Sequence, residues 1–495
     1  MLLPLAAGAA CVLGFAPFYL WPVPIAALAV LFATWRSSGS ALQAALSGFA
    51  FGLGYFLAGV SWVYVSLHDF GSMPAVLAAV ATFLFCAYLA LFPAAAGWIA
   101  VRVAGASGPG RLAASAAALV AMEWLRGWLF TGFPWLNLGT SQAPAGPLAG
   151  FAPYVGAYGV SLAVAATAAL VVAAAAPSRG RWAALAVGIA LFGAGALAGR
   201  VAWTEPAGPA VRMALLQGNV PQQLKWEEEV RTRTLLEYRR MIFAADAPVV
   251  VIPETALPAF LDQLPEDYMR SLREHAREAR KEILMGTVER DARGDDRFYY
   301  NSLVRLTPDG VQSYRKRHLV PFGEFIPPGF RFVLAVLKIP MSDFSRGPEG
   351  QAPLVAAGVA FGVAICYEDI FGEEVIDALP AAQVLVNVSN DAWFGESFAA
   401  DQHLQASQMR AIETGRWVVR STNTGATAAI DERGRVVSRL PAFTAGTLLE
   451  NVTPRNGMTP YARFGNVPAL ALVLLLGAAG WWRGRRAGLA GRPRP

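Results

Sequence analysis

Apolar residues run almost unbroken through the first two hundred positions, and then the pattern changes. Stretches long enough to cross a hydrocarbon core of about 30 Å occur at 2–20, 21–35, 41–64, 74–102, 112–130, 155–176 and 182–202, with one more at 467–482. They predict seven membrane helices, a long polar block, then an eighth helix. The first two runs are short and separated only by residues 17–22, so a single re-entrant hairpin is an alternative to two helices there. From Val211 the chain turns to short β-branched or apolar runs, at 211–217, 248–252, 282–288, 300–307, 359–365, 384–388 and 418–421, divided by polar stretches of helical character. Strands alternating with helices predict an α/β or layered α+β domain, and about 250 residues are enough to bury a full core. The expected organisation is a transmembrane domain over 1–204, a polar domain over 205–464, an eighth helix over 465–483 and a basic tail over 484–495.

Composition supports two different solvents for the two parts. The chain of 495 residues is 55% hydrophobic and only 15% charged, which excludes an ordinary soluble protein. Asp69 and Glu123 are the only acids in the first 204 residues, and no lysine occurs there. The net charge of +6 does not point to nucleic acid, because the basic residues outside the polar block are scattered between apolar runs and gather in the tail. Positive-inside topology accounts for them better: Arg36, Arg102, Arg111, Arg179 and Arg181 fall in alternate loops. With those loops cytoplasmic, both termini lie inside and the polar block lies outside. Three cysteines, two of them (Cys11 and Cys86) in apolar runs, exclude a disulfide framework. Residues 5–11 (LAAGAAC) lack the basic flank of a signal peptide and read as a membrane helix with an inert cysteine.

Glu123 is costly in a bilayer, at about 2.5 to 3.5 kcal/mol on insertion scales. Arg126, one turn on, is placed to pair with it. Either the two form a structural ion pair, or Glu123 helps to seat the Gly-, Pro- and aromatic-rich loop that follows, 132–150.

In the polar block, reactive residue types recur at strand ends. Glu254 follows VVVIP, Lys316 lies in YRKRHLVPFGE, and Cys366 ends FGVAI. A strand end holds a side chain rigidly at the rim of a sheet, as a reacting group requires. A cysteine attacks as thiolate and needs a base or a cation beside it. Glu254 can take the proton, and Lys316 can stabilise a thiolate or an oxyanion. Each residue alone fits a bland role as buried filler, turn cap or surface cation. His318 beside the lysine offers a Cys–His alternative. Arg410, Glu413 and Arg416, at helical spacing, read as a structural ion-pair face, with substrate binding the alternative.

The motifs VIPET (251–255), YRKRHLVPFGE (314–324), ICYE (365–368) and SNDAWFG (389–395) together resemble those of the nitrilase superfamily. With EWLRGWLFTGFPWLNLG (123–139) and seven helices before plus one after, the whole chain resembles the apolipoprotein N-acyltransferase family. The resemblance implies a multi-pass α-helical membrane domain plus an α/β (αββα sandwich, nitrilase-like) extracytoplasmic domain, in the periplasm of a bacterium with the helices in its inner membrane. It implies Glu254 as general base, Lys316 as electrostatic stabiliser and Cys366 as nucleophile. Glu324, Tyr367 and Glu368 would support them, and Trp226 would contribute to the substrate pocket; Trp393 and Phe394, following a strand, offer either an acyl-pocket lining for substrate binding or core packing. The implied reaction moves an acyl chain from a phospholipid, typically phosphatidylethanolamine, through a cysteine thioester to the α-amine of a diacylglyceryl-cysteine apolipoprotein. No metal, cofactor or nucleic acid is implied. Residues 329–339 (GFRFVLAVLKI) offer an interfacial membrane contact or core packing, and 340–347 (PMSDFSRG) a lid or hinge. A tethered amidase that resolves its thioester with water, and a non-catalytic lipid-binding scaffold or transporter, are the rivals.

Overall fold

The computed structural model describes residues 1–105, 109–224, 227–293, 296–307, 310–327 and 343–490. Trp226, the run 329–339 and the first residues of 340–347 lie outside them. The chain divides into two compact units: Met1–Tyr64, Ala75–Ala202 and Thr459–Pro495 form one, and Val65–Pro74 with Trp203–Met458 form the other.

The first unit is helical. Among the described residues, five helical stretches are long and apolar enough to cross a membrane: Ala41–Val60, Ala75–Ala104, Pro147–Ala175, Arg181–Ala198 and Val467–Arg486. Leu2–Gly14 and Pro22–Ser37 are apolar but shorter, and Pro109–Arg126 carries Arg111, Glu123 and Arg126. Apolar helices in lipid gain little from hydrophobic burial against each other, so small residues that allow close backbone approach decide their packing. Gly54 shows this: a Cβ there would sit 2.0 Å from the Leu5 carbonyl oxygen of the first helix. Glu123 and Arg126 do approach each other, at 4.0 Å, but their shorter contacts go to the following loop. Glu123 Oε1 accepts from the Leu138 amide at 2.7 Å, and Arg126 Nη1 donates to the carbonyls of Phe133 and Trp135. The pair therefore seats residues 133–138, which combines both roles expected of Glu123.

The second unit is a layered sandwich. Its strands are β1 (Thr204–Pro206), β2 (Val211–Gln217), β3 (Val249–Ile252), β4 (Glu282–Arg293), β5 (Asp296–Thr307), β6 (Gly310–Arg315), β7 (Leu354–Ala356), β8 (Val359–Ile365), β9 (Val384–Ser389), β10 (Val418–Thr422), β11 (Ala428–Ile430), β12 (Val436–Arg439), β13 (Gly446–Val452) and β14 (Arg455–Gly457). One six-stranded sheet runs β13-β2-β3-β4-β5-β6 and the other β12-β11-β10-β9-β8-β7. Each has a parallel centre, β2-β3-β4 and β8-β9-β10, flanked by antiparallel strands. Parallel strands are buried on both faces, and β3 and β9 are buried at every position. One face of each sheet meets the other through Leu215, Val251, Leu284, Phe361, Val386 and Val419. Helices Glu228–Ala244 and Glu266–Glu278 cover the first sheet through Tyr238, Ile242, Tyr268 and Leu272, and Ala399–Thr414 covers the second through Leu404 and Ala411. The expected αββα architecture is what the chain adopts.

Candidate active site

Glu254, Lys316 and Cys366 are all lifted to strand ends. Glu254 follows β3 by two residues, Lys316 is the first residue after β6, and Cys366 is the first after β8. The Lys316 side chain is 1% exposed, so its ammonium must be fully partnered. It lies 2.8 and 2.9 Å from the two Glu324 oxygens and 3.5 Å from Glu254 Oε1. Burial alone would lower its pKa; Glu324, Glu254 and Cys366 outweigh that and hold the ammonium firmly charged.

Two residues that sequence reasoning missed complete this arrangement. Asn301, on β5, donates through Nδ2 to Glu254 Oε1 at 2.6 Å and to Glu324 Oε1 at 2.9 Å. Its backbone carbonyl accepts from the Lys316 amide at 2.8 Å, so one residue fixes all three charged groups. Asn390, in the SNDAWFG motif, donates its backbone N–H to Glu254 Oε2 at 2.8 Å. Asn301 had a faint signal: a polar residue on a strand face where its neighbours pair into the sheet.

Cys366 carries φ +52°, in the left-handed region that non-glycine residues avoid. Its thiol is pushed well above the ordinary value, first by burial and then by the Glu254 charge, against the opposing pull of Lys316. The charge count agrees: two carboxylates and one ammonium leave the local charge negative before any thiolate forms. The resting group is therefore a thiol, and a proton must leave as the sulfur attacks.

Glu368 ties the lysine loop to the cysteine turn. It is 2% exposed, and its oxygens accept from the amides of Ile365 at 2.7 Å, Arg317 at 2.8 Å and His318 at 3.1 Å, and from the Tyr314 hydroxyl. Burial raises its pKa to about 7 despite those donors. Tyr367 is buried and packs edge-on to Phe371 at 5.1 Å. His318 is turned elsewhere, with Nδ1 2.6 Å from Glu374 and its ring stacked on Phe371 at 3.7 Å. Trp393 and Phe394 sit half-buried in the turn after β9. The Trp393 carbonyl accepts from Ser66, and its ring packs edge-on to Phe70 at 6.0 Å. Arg410 pairs with Glu413 at 3.1 Å, but Arg416 donates to the carbonyls of Ala382 and Gly457 and so leaves the expected ion-pair face.

Comparison with known proteins bears on both units. The family model described as apolipoprotein N-acyltransferase N-terminal domain matches residues 7–170, and that described as carbon-nitrogen hydrolase matches 212–458. An apolipoprotein N-acyltransferase of Nitrosomonas europaea is 50% identical over 490 residues, covering 97% of each chain. The chain belongs to the apolipoprotein N-acyltransferase family. Another member, from Ralstonia nicotianae, is 45% identical over 98% of this chain and 94% of its own. Membership makes the chain an acyltransferase whose second unit has the carbon-nitrogen hydrolase fold, and its apolar helices fit a membrane enzyme. Among solved structures, the C. elegans NitFhit protein matches at 18% identity over 58% of this chain and 66% of that chain, with a TM-score of 0.40, a likeness too distant to bear on function.

Proposed function

We propose that this chain transfers a fatty acyl group from a phospholipid, with phosphatidylethanolamine the expected donor, to the N-terminal amine of diacylglyceryl-cysteine apolipoproteins. The observation that carries the reading is the buried Glu254–Lys316–Glu324 cluster acting on the Cys366 thiol, in a chain that matches named N-acyltransferases along its length. Glu254 takes the thiol proton as Cys366 Sγ attacks the acyl ester. Lys316 faces the oxyanion charge that develops. The lysophospholipid leaves with a proton returned by Glu254, and a thioester remains. The acceptor α-amine then attacks; its ordinary pKa of about 7.7 to 8.0 keeps a usable neutral fraction near pH 7. Glu254 accepts the amine proton, the amide forms, and the thiol is restored.

Glu324 holds the lysine, and Tyr367 and Glu368 shape the turn that presents Cys366. Trp226, Trp393 and Phe394 contribute to substrate binding. Both substrates are anchored by acyl chains worth about 0.8 kcal/mol per buried CH₂, so the reaction belongs at a bilayer surface. We assign residues 1–204 and 465–483 to the inner membrane, 205–464 to the periplasm and 484–495 to the cytoplasm, on the distribution of arginines.

The test supplies purified protein with acyl-labelled phosphatidylethanolamine and a diacylglyceryl-cysteine peptide. Label appearing as an amide on the peptide amine, and absent with Cys366→Ala, supports the transfer. Release of free fatty acid with an unmodified peptide identifies a hydrolase instead.

A further inference from the structure

Beneath the cysteine turn lies a buried charged cluster that the reaction scheme above does not use. His403, on helix Ala399–Thr414, is 1% exposed. Its Nδ1 lies 3.0 Å from Asp391 Oδ1, and its Nε2 lies 2.7 Å from Asp369 Oδ1 and 3.1 Å from the Cys366 carbonyl oxygen. Arg420, from β10, reaches Asp369 at 2.8 Å and Asp391 at 3.4 Å, while Ser389 donates to Asp391 and Ser407 to Asp369.

Both imidazole nitrogens face carboxylate oxygens at hydrogen-bonding distance. A bare nitrogen at either place would set a lone pair against an anion, so both carry protons. Charge counting leads to the same state. Two carboxylates and one guanidinium leave a buried negative charge that a protonated His403 cancels, as burial requires. The imidazolium so held, its pKa pushed up to about 9 against the opposing effect of burial, keeps at neutral pH an Nε2–H shared between Asp369 Oδ1 and the Cys366 carbonyl.

That carbonyl belongs to a residue whose backbone needs holding. Cys366 sits at φ +52°, a conformation that persists only where the surroundings over-determine it. The described donors to its oxygen are His403 Nε2 and Asn387 Nδ2, both at 3.1 Å. Asn387 also binds the Ala364 carbonyl, two residues back along the strand, so it fixes the approach to the turn. His403 is the contact from outside the sheet.

We infer that His403, clamped between Asp369 and Asp391, pins the Cys366 carbonyl and with it the left-handed turn that presents the thiol, and so acts as a positioning residue for acylation. The inference rests on Cys366 being the nucleophile. The cluster is buried beneath the turn, so its effect is on where Sγ points when the ester arrives.

Two substitutions separate positioning from simple stability. His403→Gln and His403→Leu both lose the Nδ1 contact to Asp391, so both lower the melting temperature. Only the glutamine keeps an amide N–H where Nε2 stood. With phosphatidylethanolamine as donor and no acceptor, His403→Leu should form the acyl-enzyme about 10²-fold more slowly, the scale of a misplaced reacting atom. His403→Gln should stay within about tenfold of the native rate, and KM for the lipid should hardly move in either variant. Equal acylation rates for the two variants would overturn the inference. A native protein that forms no acyl-enzyme would instead remove the nucleophile assignment, and this inference with it. If the leucine variant does not fold, nitrogen NMR of ¹⁵N-histidine-labelled native protein decides, with the His403 signal identified by its loss in His403→Gln. An Nε2 that carries its proton at neutral pH supports the inference, and a bare Nε2 overturns it.

Discussion

Replacing Asn301 by leucine removes a buried amide while keeping its branched shape. The native Nδ2 spends its two protons on two carboxylates, at 2.6 Å to Glu254 and 2.9 Å to Glu324. A hydrogen bond to a charged group contributes about 1.5 to 3 kcal/mol, so the pair sets an upper limit of about 3 to 6 kcal/mol. Both carboxylates keep other partners: Glu254 retains the Asn390 amide, and Glu324 retains Lys316 and the Val320 amide at 2.8 Å. The expected loss of stability is therefore smaller, about 2 to 4 kcal/mol. Glu254 also loses the donor that fixes its Oε1 near Lys316, so the base of the proposed mechanism is held less reproducibly. Acylation should slow about 10²-fold, with little change in KM for the lipid. The assay is single-turnover acyl-enzyme formation followed by intact-protein mass, alongside a melting curve. An Asn301→Leu protein that acylates within about twofold of native, at an unchanged melting temperature, would refute the bridging role.

Other expectations follow from single contacts. Glu368 titrates at about 7 in the fold against an ordinary 4.5, so the folded state holds its proton longer, and stability falls as pH rises from 4.5 to 7. His403 titrates at about 9 against 6.5, so its contribution is complete below pH 6.5 and is lost as pH rises to 9. Each step is worth about 3 kcal/mol at 1.36 kcal/mol per unit. Melting temperature should thus decline from about pH 5 to pH 9, with Glu368→Gln flattening the acid half and His403→Gln the alkaline half; a curve that rises over this range contradicts both. Gly54→Val should abolish correct packing of the first helix against Ala41–Val60, because the new Cβ meets the Leu5 carbonyl; recovery of native yields and melting would refute that close approach. Arg126→Ala should free the Phe133 and Trp135 carbonyls and expose residues 133–138 to protease, whereas unchanged digestion would contradict the seating role.

The sequence was informative where one residue type carries one physical meaning. Long apolar runs marked the apolar helices of the first unit, and β-branched runs at 211–217 and 359–365 matched strands to the residue. The short and outer strands went unseen: β7 and β11 span three residues each, too few for any period to appear, and the edge strand β13 at Gly446–Val452 mixes Gly, Glu and Asn as edges do. Asn301 and His403 escaped for another reason. Neither has a spacing to a partner that local periodicity could reveal, since Asn301 meets Glu254 across 47 positions and His403 meets Asp369 across 34. Such contacts exist only once the strands of each sheet have paired and the covering helix has packed on them. Arg416 misled in the opposite sense: its spacing from Glu413 implied a helical pair, but the helix ends at Thr414, and Gly415 with φ +62° turns the chain away.

The central claim is that Cys366 carries the acyl chain between donor and acceptor. The most direct measurement is intact-protein mass spectrometry, with peptide mapping, of purified protein mixed with phosphatidylethanolamine alone and then with a diacylglyceryl-cysteine peptide. The account predicts a single fatty-acyl mass on the peptide containing Cys366, absent in Cys366→Ala and discharged onto the added amine. An acylated peptide formed without any adduct on Cys366, or formed equally well by Cys366→Ala, would contradict it.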